Sequence, residues 1–245
     1  MKGEERTYRV LSARKGLTGF RVMVKETDLH VQAERDLSAE VRELVLLHRG
    51  HLEAYIAQNP VFLTTLSPWA LHGPAAPVVR LMAEAGRIAG VGPMAAVAGA
   101  VAELVGEGLA PLSREVIVEN GGDVYARTAG PFTAAVHAGK SPLSGRVGVR
   151  VDGEGGALGI CTSSATVGPS MSFGRADAAL IVARSAALAD AAASALGNRV
   201  KDAASLAPAL EFVRSISGVL AALAIIGDKM AAWGEIEIVP IRTAK

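Results

Sequence analysis

Asp190 and Ser194 lie four residues apart in the run Leu188-Ala189-Asp190-Ala191-Ala192-Ala193-Ser194. On a helix that spacing puts both side chains on one face, a turn apart. A carboxylate and a hydroxyl are hard oxygen donors of the kind that suits Mg²⁺. The alanines between them leave room for bulky phosphates. The same aspartate also reads as an ordinary solvated residue, or as a partner of Arg184 or Lys201.

Three more stretches set small residues and backbone groups where an anion can approach. Gly90 to Gly99 contains a glycine break, and Gly92 opens a new helix whose N-terminus offers N–H groups to phosphate. Asn120-Gly121-Gly122-Asp123 follows an apolar strand, and Thr162-Ser163-Ser164 follows Cys161 at another strand end. Each also has a purely structural reading, because turns favour Gly, Asn and Asp for backbone reasons.

Other motifs fail on context. Gly90 to Ala95 fits G-x-G-x-x-A, but a helical pattern precedes it where a dinucleotide site needs a strand. Gly139-Lys140-Ser141 lacks the first glycine of a phosphate loop, has Pro142 after it, and reads as an exposed turn. His48 and His51 share a helix face without an acid or cysteine to complete a metal set, so they read as surface or interface histidines. Ser163, Ser164, Ser170 and Ser172 have no G-x-S-x-G context, and every histidine lies upstream, which argues against a serine hydrolase. Cys161 reads as part of a buried strand.

The elements that must carry these residues follow from periodicity. Phe20, Val22 and Val24, then Leu29, Val31 and Ala33, alternate around Thr27-Asp28 as a hairpin. Asp36 or Ser38 caps a helix to about Asn59, and Pro60 stops it. Pro77 to Ile88 and Pro93 to Val105 read as helices. Strands follow at 115–119, 147–151, 158–161 and 178–182, with residues 152–156 turning between the second and third. Ser185 caps an alanine-rich helix to about Asn198, and Leu206 to Ser217 forms another. Two closing strands surround Gly227 and Gly234, with Ile236 and Ile238 inward. The pattern predicts a single α+β domain over residues 1–245, with antiparallel sheets, packed helices and two similar β-plus-helix halves.

Composition limits the partners. The chain has 245 residues, 50% hydrophobic and 20% charged, with a formal net charge of +1. That balance gives no basic field for nucleic acid or anionic lipid. The uncharged runs are short or interrupted by Gly, Ser and Thr, so no membrane span of ~20 apolar residues is expected. One cysteine and a charged N-terminus point to a cytoplasmic protein. The apolar bias fits a well-filled core or a homo-oligomer interface.

Taken in order, Asn120-Gly121-Gly122-Asp123, Thr162-Ser163-Ser164 and the Ala189 to Leu196 helix resemble the ApbE-like superfamily, whose best-known members are FAD:protein FMN transferases. The run Gly92 to Ala100 is similar to an uncharacterised bacterial and archaeal branch of it. The resemblance implies a T-fold-related two-layer fold and a phosphorylated small-molecule ligand, FAD or a related nucleotide, in a central cleft. It implies Mg²⁺ at Asp190 and Ser194, with Gly92, Asn120, Gly121, Gly122, Asp123 and Thr162 to Ser164 lining the ligand, and transfer of a nucleotidyl or phosphoryl group. The chain departs from the pattern: it lacks the superfamily's lysine near Gly92, and 170–177 lacks its histidine and Asp-Pro. The alternative is a non-catalytic scaffold or assembly subunit that kept the fold.

Overall fold

The computed structural model describes residues 14, 16–153, 156–164 and 173–241. The chain begins with a hairpin of β1 (Thr18–Val24) and β2 (Thr27–Ala33). Val22, Val24, Leu29 and Val31 are buried, while Arg21 and Met23 face out. Helix α1 (Ser38–Gln58) follows and buries Val41, Val45, His48 and Leu52 at helical spacing. Leu37 holds its cap position, and Asp36 accepts from the Ser38 N–H one residue further in. A short α2 (Val61–Thr64) leads to α3 (Pro77–Ala89). Pro77 opens α3, and Gly90 closes it at φ 72°, a left-handed conformation that suits glycine.

The helix expected from Pro93 divides in two. Pro93–Ala96 forms a 3₁₀ turn, and α4 (Val97–Leu109) starts only at Val97. Then come β3 (Val116–Asn120), β4 (Asp123–Arg127), β5 (Phe132–Ala135), β6 (Val147–Val151), β7 (Leu158–Ser163) and β8 (Ala178–Ala183). Helix α5 (Ala186–Arg199) is capped by Ser185, whose side chain accepts from the Leu188 N–H. Helix α6 (Leu206–Arg214), β9 (Val219–Ile226), β10 (Lys229–Gly234) and β11 (Glu237–Pro240) complete the described chain.

The architecture is α+β with antiparallel sheets. Eight strands order as β1-β2-β3-β4-β7-β8-β9-β10, and β11-β6-β5 form a small second sheet. Each half of the large sheet has the same plan: a hairpin, then helices, then a second hairpin. The halves join where β4 pairs with β7, with Val124 opposite Ile160. The helices cover one face, burying Val118, Cys161 and Ile181 against residues such as Val105 and Leu196. The small sheet covers the other, where Ile117, Ile160, Leu180 and Leu223 meet Phe132 and Val149.

Two expectations need correction. Residues 147–151 and 158–163 form strands but not a hairpin, because they belong to different sheets. Strand β7 is apolar on both faces, so it enters the middle of the large sheet, whereas β6 stays in the small sheet. Of the turn expected between them, Glu154 and Gly155 lie outside the described residues. Ile238 is 41% exposed, since β11 is an edge strand of the small sheet. Among the described residues, no single helix is long and apolar enough to cross a membrane.

Close backbone approach locks α5 onto the sheet. A methyl group at Gly159 would lie 2.3 Å from the Ala186 Cα and 2.7 Å from the Ser185 carbonyl oxygen. Backbone cannot yield as a flexible side chain can. Gly159→Ala is therefore expected to lower unfolding free energy by about 1–3 kcal/mol in urea titration.

Candidate functional site

Asn120 and Asp123 face each other across the two-residue turn that joins β3 to β4. Gly121 and Gly122 make that turn at φ 69° and 112°, which side chains other than glycine rarely adopt. Alternation from Val118 and Tyr125 puts both polar side chains on the helix side of the sheet. The register of β4 with β7 then brings Cys161 next to Asp123. The Asp123 carboxyl accepts from the Thr162 backbone N–H and lies within hydrogen-bonding reach of the Cys161 thiol. That thiol also donates to the Ala186 carbonyl oxygen at 3.3 Å.

Helices α4 and α5 complete the corner. A methyl group at Gly99 would sit 2.2 Å from the Ala186 carbonyl oxygen, so the two backbones touch there. The Gly99 N–H donates to Asp190 Oδ2 at 2.9 Å, and the Ala98 N–H also favours the ionised Asp190. These are the second and third residues of α4, whose N–H groups have no partner within the helix. Asp190 therefore caps α4 from α5. Asn120 Nδ2 donates to the Ala98 carbonyl oxygen at 3.1 Å and pins the same turn. The arrangement is reciprocal. Glu103 of α4 accepts from Ser185 Oγ at 2.7 Å and from the Ala187 N–H at 3.0 Å, capping α5.

Burial raises the pKa of both carboxyls at this corner. Each keeps a partly exposed surface, yet most of its surroundings are protein. Asp123 is pushed up to about 7, first by burial and then by the Glu119 charge, against the help of its two hydrogen bonds. Burial and the neighbouring Asp123 hold Asp190 well above the carboxylate range. Burial beside both acids also raises the Cys161 thiol. Neither carboxyl has a lysine or arginine partner among the described residues.

The structure thus unites Asn120, Asp123 and Asp190. Ser194 is half-buried one turn after Asp190 on α5. Ser163 lies on the helix side toward Gly197, where an added methyl would be 3.7 Å from its Oγ. Ser164 is half-buried just past the end of β7. The Thr162 side chain alternates to the other face, and its backbone donor is engaged by Asp123. The Gly122 N–H donates to Glu119 Oε1 at 2.8 Å. Gly92 packs elsewhere: a methyl there would lie 2.0 Å from the Thr65 carbonyl oxygen. The α4 start, expected to offer N–H groups to phosphate, has its Gly99 donor taken by Asp190. Among the described residues, no group of three or more His, Cys, Asp or Glu side chains is placed to hold a metal ion.

Of the remaining motifs, Cys161 is buried in its strand as expected. His51 is exposed, but His48 is buried and its Nδ1 has no hydrogen-bond partner among the described residues. Lys140 is exposed, whereas Ser141 is buried and donates to the Gly227 carbonyl oxygen at 2.6 Å. Ser170 and Ser172 lie outside the described residues. Sequence reading missed Glu103. Its signal was its isolation, as the one charged residue between Arg87 and Glu107.

The family described as AbpE bacteria matches residues 9–216. The chain belongs to that family. A UPF0280 protein of Methanocella arvoryzae is 44% identical over 214 residues, covering 87% of each chain. A UPF0280 protein of Methanocaldococcus jannaschii is 40% identical over 222 residues, covering 88% of this chain and 90% of its own. Among solved structures, the apo flavinyl transferase ApbE of Pseudomonas stutzeri superposes with a TM-score of 0.59 at 14% identity, covering 89% of this chain and 93% of its own. The ApbE protein of Thermotoga maritima gives 0.53 at 13% identity, with 89% and 97% covered. At such identities these two likenesses establish a shared fold.

The raised Asp123 predicts a pH dependence. Between its ordinary 3.8 and about 7, the folded protein holds a proton that the unfolded chain has released. Stability from this group therefore falls as pH rises across that window, and Asp190 acts in the same direction. Melting temperature measured across the window should fall less in Asp123→Asn than in the wild type.

Proposed function

We propose that the protein binds a flavin nucleotide, or a related phosphorylated nucleotide, together with Mg²⁺, at the corner formed by Asn120, Asp123 and Asp190. The observation that carries this reading is the pair of half-buried acids with no cationic side chain beside them among the described residues. Two carboxyls held close in a poorly solvated corner repel each other, and a bound cation would relieve the repulsion. The donors are oxygens. Asp190 keeps one carboxyl oxygen beyond its bond to Gly99, and Ser194 supplies a hydroxyl on the same helix face. Mg²⁺ commonly takes one or two carboxylates and completes its shell with water and substrate phosphate, which fits a site short of protein ligands. The fold shared with the flavinyl transferase ApbE of Pseudomonas stutzeri supports a flavin as the nucleotide.

Asp190 and Ser194 would hold the cation, whose chemistry would be to screen the charge of a diphosphate. Asn120 orders the α4 start, and the Gly121-Gly122 turn keeps side-chain bulk away from the ligand. Asp123, raised to about 7, would accept the proton of an acceptor hydroxyl as its oxygen bonds to one phosphorus of the diphosphate, the P–O–P bond breaking and the other phosphate leaving. The reaction class is transfer of a nucleotidyl or phosphoryl group.

A second reading, a non-catalytic assembly subunit, draws on a different observation. Leu46 and Leu47 on α1, with Val61, Leu63 and Leu66 just after it, are each at least 50% exposed. Surfaces of that kind mark interaction sites.

Titration of FAD by flavin fluorescence, with Mg²⁺ and with chelator, tests the first reading. Asp190→Asn is the informative variant, because asparagine keeps an oxygen for the Gly99 N–H while removing the charge. Wild type is expected to bind with Mg²⁺, and the variant to bind at least ~10-fold more weakly, a loss of roughly 1.4 kcal/mol. Absence of binding, or identical binding by the variant, rejects the proposal. A stable oligomer by sizing that ignores every flavin would favour the assembly subunit.

A further inference from the structure

The cation reading depends on where Asp190 sits, and a second carboxylate, Glu103, sets that position. Glu103 is only 8% exposed and has no ion pair among the described residues. A buried charge without partners is costly. Here the N-terminal end of α5 meets it, through Ser185 Oγ and the Ala187 N–H at 2.7 and 3.0 Å. One turn earlier on the same face of α4, the Gly99 N–H holds Asp190, and the helix backbones touch at Ala186. The two helices are thus joined at two levels four residues apart. Packing at Gly159 holds the start of α5 on the sheet, and these two bonds tie it to α4.

We propose that Glu103 is a positioning residue: by capping α5 from α4 it fixes the register of the two helices and so holds Asp190 where the proposed cation and phosphate bind. The functional part of this inference rests on the reading above, while the structural part stands without it. Glu103 also borders an open groove between α3 and α4, lined by Arg80, Glu84 and Glu107. A glutamine at 103 keeps an accepting oxygen for α5.

The Gly99 amide reports the Gly99–Asp190 bond directly, and its hydrogen exchange is measurable by NMR in the full-length protein without ligand. Glu103→Ala is expected to speed Gly99 exchange about tenfold, the equivalent of losing one charged hydrogen bond. Val213→Ala, which empties a buried site under α6, controls for general destabilisation and should leave Gly99 near its global rate. Glu103→Ala should also weaken Mg²⁺-dependent FAD binding by about tenfold or more, as loss of a supporting partner commonly does. Glu103→Gln should restore both readouts. A folded Glu103→Ala with exchange and binding equal to the control overturns the proposal. If the wild type binds no FAD, the proposed function fails, and Gly99 exchange alone decides the role of Glu103. If Glu103→Ala does not fold, Ser185→Ala removes one of the two donors, and unchanged Gly99 exchange there overturns the proposal equally.

Discussion

Two helices cap each other. Asp190 of α5 satisfies the start of α4, and Glu103 of α4 satisfies the start of α5. A helix begins with N–H groups that need acceptors and with a positive end that favours negative charge. Both helices start where most of the surroundings are protein and water serves poorly, and each takes a carboxylate from its neighbour. The exchange demands that the helices lie close, and the small residues at their contact allow it. Gly99 lets backbone meet backbone, and alanines along α5 are buried from Ala186 to Ala195. The alanine richness of α5 is therefore a packing requirement before it is a ligand feature.

The sheet places this contact at the join between its two halves. Strands β4 and β7 meet there, so the end of one hairpin and the start of the other present Asp123 and Cys161 side by side. Asn120 reaches from β3 to the α4 start and ties sheet to helix. The outcome is a corner of acids with raised pKa values, assembled from both halves of the chain. Such a corner is costly to stability, because burial opposes the ionised form of each acid.

Much was legible beforehand. The hairpin at 18–33, the helix after Ser185, the glycine break at Gly90 and the buried strand around Cys161 follow from period, cap and turn chemistry. Those signals are local: a cap bonds two or three residues along, and a strand alternates by itself. Prediction failed where the deciding contact was remote. Residues 147–151 and 158–163 look like one hairpin because nothing local records that the strands join different sheets. The helix expected from Pro93 starts as a 3₁₀ turn, and the residue before it, Gly92, packs tightly against the Thr65 backbone, a contact no local pattern records.

The site divides the same way. Residue type and spacing alone marked Asn120, Asp123, Asp190 and Ser194 as polar groups at strand ends and on one helix face, and marked Gly121-Gly122 as a tight turn. Only the folded chain decided that Asp190 binds a backbone N–H of α4, that the Thr162 donor serves Asp123, and that Gly92 packs away from them. It alone revealed Glu103, a buried charge on a largely apolar helix whose partners lie more than eighty residues ahead. Hydrogen bonds between distant segments leave no periodic trace in a sequence. They depend on the register of helices and strands, and tertiary packing sets that register.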